Sequence, residues 1–186
     1  MNSELLNIAA LERQRYVDFF IHETNFLKKG KDTCATELQI QIDDETVSYP
    51  FNIIYLDFIY KDKKNKDHIS ELRLDKNLDY KYGDFYLDNL KIQLNPFCWN
   101  SCEFTVDKIE VSALANWVIK WLKIDEEIPD IDLVEVIHSC SEPALVDNKY
   151  SFTIDFGSAP ETCFIEFLQF LCDNNVEEVF IETSEV

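Results

Sequence analysis

The chain is predicted to adopt an α+β fold, with three helices against a mainly antiparallel sheet of about seven or eight strands. Three observations predict it. Tyr150, Phe152, Ile154 and Phe156 alternate with polar residues at the period of a half-buried strand, whereas Phe164, Phe167, Leu168 and Leu171 recur at helical spacing. The two patterns also segregate along the chain: helix, several strands, helix, two strands, helix, strand.

Residues 4–29 suit one long helix or two short ones, because Leu5, Ile8, Ala9, Tyr16, Phe19, Phe20, Phe26 and Leu27 share one stripe; Gly30 stops it, and Lys28 and Lys29 suit its negative end. Glu12 and Glu23 fall within that stripe. From Thr36 the period becomes two, and Leu38, Ile40 and Ile42 are expected to face the core. Ile54 to Tyr60 has apolar residues on both faces, as a central strand does. A polar hairpin loop over 61–67 follows, then strands over Ile69–Leu74 and Phe85–Leu94.

Ser112 is the expected cap of a second helix, whose face is Leu114, Ala115, Trp117, Val118, Trp121 and Leu122. A strand over Leu133–Ser139 leads to the strand at Tyr150, which Gly157 ends. Ser158-Ala159-Pro160-Glu161 reads as a capping box with proline just inside the helix start. Asn174-Asn175 closes that helix, and Val176, Val179 and Ile181 announce a final strand.

The 186 residues are 46% hydrophobic, enough for one domain, with two lobes (1–100 and 101–186) as an alternative division. Only three Gly and five Pro leave little room for linkers or glycine-rich phosphate loops. The formal charge is -19 and lies unevenly: residues 1–100 hold 17 acids against 13 bases, and residues 101–186 hold 19 against 4. The second part is therefore near -15, a field that repels nucleic acid and anionic membrane and attracts basic partners. The N-terminal residues lack a basic stretch followed by an apolar core, so a cytoplasmic protein is expected, with its six Cys as thiols.

Two acidic stretches are the candidate partner-binding residues. Asp125, Glu126, Glu127, Asp130, Asp132 and Glu135 occur without an intervening base, and Glu177 and Glu178 begin a row along the last strand. Each has a plainer account: a solvated loop for the first, charges guarding a sheet edge for the second. The Asp-x-Asp-x-Asp-Gly pattern of a calcium loop is absent. Cys98, Cys102, His138 and Cys140 offer zinc-ligand types at loose spacing, and a strand would place His138 and Cys140 on one face, as a thiol enzyme needs. Neither pattern carries a recognisable motif, and no metal, cofactor or catalytic residue is assigned.

In this profile, and in the passage from Tyr150 to Pro160 (Tyr-Ser-Phe-Thr-Ile-Asp-Phe-Gly-Ser-Ala-Pro), the chain resembles the immunity proteins that bacteria make against contact-dependent and other polymorphic toxins. That resemblance implies a non-catalytic inhibitor occluding one cognate toxin domain, a basic nuclease above all. The alternatives are an acidic nucleic-acid mimic acting on a DNA-binding enzyme, and a small thiol- or zinc-dependent module.

Overall fold

A computed structural model describes residues 3–31, 33–74, 83–124, 126 and 133–183. They form an α+β fold of three helices and ten strands. Helix α1 (Ser3–Lys28) buries Leu5, Ile8, Ala9, Glu12, Tyr16, Val17, Phe20 and Thr24, a stripe at three- and four-residue spacing that lies against α3 (Glu161–Asp173). Glu12 is tolerated there because Arg15 reaches it at 2.9 Å.

Strands β1 (Cys34–Gln41), β2 (Ile53–Lys61) and β3 (Asp67–Ser70) form a small antiparallel sheet with β2 central, joined to β3 by the 62–66 turn. The expected inward face of β1 is not the buried one, and Ile40 is only half-buried. Leu38 and Ile42 are exposed, whereas Glu37 is 3% exposed, because an inward carboxylate is needed at the site described below.

The larger sheet takes β4 (Gly83–Leu87), β5 (Leu90–Leu94), β6 (Cys102–Val106), β7 (Ser139–Cys140), β8 (Ala144–Val146), β9 (Lys149–Asp155) and β10 (Glu178–Thr183). Its order is β4-β5-β10-β6-β9-β7, with β8 pairing β9, and every pairing is antiparallel except β5 with β10. The strand-helix-strand unit of the sequence is β9-α3-β10, but β6 lies between its strands. The last strand is therefore interior, so its glutamates guard no edge.

Phe104 on β6 anchors the core under α3, with ring centroids 4.8 Å from Phe167 and 5.7 Å from Phe152. Helix α2 (Val111–Trp121) adds Leu114, Trp117 and Val118. Two expected caps take other roles. Glu110 precedes α2, and Ser112 Oγ donates to its carboxylate rather than capping. Pro160, not Ser158, precedes α3; the Ser158 hydroxyl is turned inward, accepting from the amides of Glu135 (2.9 Å) and Val136 (3.3 Å). Among the described residues, no helix is long and apolar enough to cross a membrane.

Candidate functional site

The two sheets meet at His138. Its amide donates to Asp155 O on β9 at 2.8 Å, and its carbonyl accepts from Tyr55 N–H on β2 at 2.8 Å. One residue thus joins the ladders of both sheets. The small sheet then contributes side chains from two adjacent strands, because the β1–β2 register pairs Thr36 with Phe58 and Leu38 with Leu56 and so brackets Glu37 and Asp57.

The imidazole, 2% exposed, is enclosed by acids from three strands. Nε2 lies 2.8 Å from Glu37 Oε1 and Nδ1 lies 3.0 Å from Asp57 Oδ1, while Asp155 Oδ2 stands 4.0 Å from Nδ1. The Asp57 contact is close without being well directed, so Nδ1 sits between two carboxylates with no aligned hydrogen bond. Tyr55 stacks on the ring at 6.1 Å, and Phe20 and Tyr16 of α1 meet it edge-on at 6.0 and 6.3 Å. Gly157 completes the enclosure: a Cβ there would overlap the imidazole, and its φ of +46° suits glycine.

The acids are themselves held. Glu37 Oε2 accepts from Val134 N–H at 2.6 Å, Asp57 Oδ2 from Leu72 N–H at 2.7 Å, and Asp155 Oδ1 from Gly157 N–H at 2.8 Å. Burial works strongly against the imidazolium, yet Asp155, Asp57 and Glu37 overcome it and push the His138 pKa up to about 10. Burial pushes the Asp155 carboxyl up to about 7 against the pull of His138, although water reaches 23% of its side chain. Burial, reinforced by Asp155, Asp57 and Glu37, raises the Tyr16 phenol well above its ordinary value.

Beside this cluster the seam opens into a cleft of about 450 Å³, lined by Asp57, His138 and Asp155 and by Asn100, Glu71 and Leu72 among others. Asn100 Nδ2 donates to Leu72 O at 3.3 Å, and its Oδ1 is buried without a donor.

The acids expected to meet a partner are spread differently. Asp125, Glu127, Asp130 and Asp132 lie outside the described residues, while Glu126 and Glu135 are exposed. Glu178 is engaged by Lys149 at 3.2 Å and by Lys91 at 3.8 Å. Glu177 is exposed and, with Asp88 and Asp173, lines a hollow of about 640 Å³ whose described lining holds no Lys or Arg.

The cysteines do not assemble around His138. Cys98 Sγ donates toward Leu74 O and Cys140 Sγ toward Ser141 O, while Cys102 and Cys140 lie in register on either side of Ile154. Burial raises the Cys140 thiol, the opposite of an activated thiolate. All six cysteines are free, and among the described residues no three His, Cys, Asp or Glu side chains are arranged to hold a metal ion. The chain matches no family model, no curated protein and no solved structure.

Fold and site together define an acidic α+β protein whose two sheets are locked at a buried imidazolium. The lock was missed in the sequence because its acids stand 101, 81 and 17 positions from His138. One signal was present: Glu37 and Asp57 are acids inside strand patterns rich in apolar residues.

Proposed function

We propose that this protein is a non-catalytic inhibitor of a basic partner, acting as the immunity proteins it resembles act on a cognate toxin domain, with a nuclease as the favoured partner class. The observation that carries this reading is the charge of residues 101–186, 19 acids against 4 bases. A nuclease presents Lys and Arg to phosphates, so an acidic inhibitor exploits the attraction that serves the substrate. Steering brings the two together, and a few desolvated anchors then supply most of the affinity.

Among the described acids, Glu177 with Asp88 and Asp173 suits this role best, since no basic side chain of the described lining neutralises the hollow they line. Glu178 suits it less, being engaged by two lysines of its own chain. The 125–135 stretch remains part of the proposal.

The test is affinity capture with the tagged protein from lysate of its source. Recovery of one basic domain belonging to a larger secreted protein is expected. Several DNA-binding enzymes, released by added DNA, would replace this reading with nucleic-acid mimicry, and recovery of nothing specific would remove it. With a partner in hand, the triple variant Asp88→Asn, Asp173→Asn, Glu177→Gln should associate about tenfold more slowly at low salt, a steering effect that high salt abolishes.

A further inference from the structure

The cleft at the sheet seam is lined by polar atoms that no described residue satisfies. Asp155 Oδ1 is bonded to Gly157 N–H, but Oδ2 takes no hydrogen bond from a described residue. His138 Nδ1–H lies between Asp57 and Asp155 without being directed at either, although the ring is 2% exposed. Independently of the carboxylates, Asn100 Oδ1 is buried without a donor, and the bond from Nδ2 to Leu72 O fixes which end of the amide is left over. A buried acceptor without a partner costs roughly 1–3 kcal/mol, so Asn100 Oδ1 calls for a donor, and Asp155 Oδ2, on a side chain that water partly reaches, is an acceptor of the same cleft.

The charge balance points the same way. Three carboxylates, Glu37, Asp57 and Asp155, surround one imidazolium, and Asp57 and Asp155 are the two that line the cleft. Glu71 adds a further acid at the rim, where Arg73, 3.8 Å away, is the basic residue of the described lining besides His138. An anionic ligand would meet this wall unfavourably. A cation with several N–H donors suits a cleft lined by both Asp155 and Asn100, and the apolar Leu56 and Leu72 in the same lining suit a short methylene chain.

We propose that the cleft between the sheets is a binding site for a guanidinium or primary ammonium group carried on a short apolar stem, with Asp155 and Asn100 as its main acceptors. This is independent of the inhibitor reading. The group arrives either on a free small amine or on a basic side chain of a bound protein, and the chemistry of recognition is the same.

Agmatine is the probe. The full chain, labelled with nitrogen-15 in its histidine rings and backbone, would be titrated at constant ionic strength and neutral pH while the His138 and Asn100 signals are followed. Saturable shifts at both with a Kd of about 1 mM are expected, while urea, a neutral molecule of similar head shape, gives none at the same concentrations. Asp155→Asn should weaken agmatine about tenfold, and Glu177→Gln, in the separate hollow, should leave it unchanged. Absence of saturation, equal response to urea, or full affinity in folded Asp155→Asn would overturn the proposal. If that variant does not fold, the contrast between agmatine and urea in the native chain decides. Where agmatine binds, its effect on a captured partner separates the sources: displacement of the partner assigns the site to a protein side chain, and no displacement assigns it to a free amine.

Discussion

Glu37 Oε1 and His138 Nε2 lie 2.8 Å apart in the interior, 101 residues apart in sequence, and tie β1 of one sheet to the seam with the other. Glu37→Ala leaves an imidazolium without its aligned acceptor and orphans Val134 N–H. A loss of about 3–5 kcal/mol is expected, read as a lower urea midpoint; Glu37→Gln should lose less, since it keeps an acceptor. A midpoint for Glu37→Ala within error of the native protein would mean that the pair does not hold the sheets.

Stability should fall as pH rises through neutrality. The His138 pKa is raised from 6.5 to about 10 in the folded protein, so its contribution is full below 6.5 and is lost as pH climbs through about 10. Asp155 is raised from 3.8 to about 7, which likewise favours the folded state at low pH and fades through about 7. Both effects have one sign. The depressed carboxyls of Asp44, bonded by Thr46, and Asp62, bonded by Lys66 N–H and His68, act in the opposite sense but only in the acid range. Melting temperature should therefore be higher near pH ~5.5 than near pH ~9.5, and His138→Gln should flatten the alkaline half of that slope. A melting temperature that climbs between these two values contradicts the assignment.

The two left-handed glycines should respond very differently to alanine. At Gly157 the new methyl meets the His138 ring and the φ of +46° adds backbone strain, for a combined loss of roughly 2–5 kcal/mol. At Gly30 φ is +74° with open space around it, so only the backbone penalty of about 1 kcal/mol applies. Calorimetric melts of Gly157→Ala and Gly30→Ala compare them directly, and equal losses would place the His138 ring elsewhere.

Ser158→Ala distinguishes the inward hydroxyl from a helix cap. It removes the acceptor for Glu135 and Val136 N–H and should cost roughly 1–3 kcal/mol. Amide exchange at 135–136 should accelerate more than exchange in the first turn of α3. The reverse ranking would restore Ser158 as the cap of that helix.

Much of this fold was legible where one pattern ran long enough. Helix α1 and the β9-α3-β10 unit follow from their periods because each buries one continuous stripe or face. The interior position of β10 was not legible, because it depends on β6. That strand is five residues, Cys102–Val106, and its buried Cys, Phe and Val are too brief a signal between two aromatic-rich stretches. The inward turn of Glu37 was hidden for a different reason. Leu38, Ile40 and Ile42 carry the alternation through β1 and just past it, and only tertiary pairing with His138 buries Glu37, the one fully buried residue of that strand. Ser158 belongs with it: its local motif is that of a cap, and long-range amides outcompete the helix for its hydroxyl.

The place of β10 between β5 and β6 also bears on how the chain is made. A nascent chain that has emerged only as far as α3 already contains the β4–β5 hairpin and the β6–β9 pair, yet the strand that bridges their ladders is missing. Until residues 178–183 leave the ribosome, β5 and β6 each present a bare ladder to the crowded cytosol or to a neighbouring nascent chain. Stalled translation just before residue 178 would thus release the species most prone to stick, and chaperone demand should peak there.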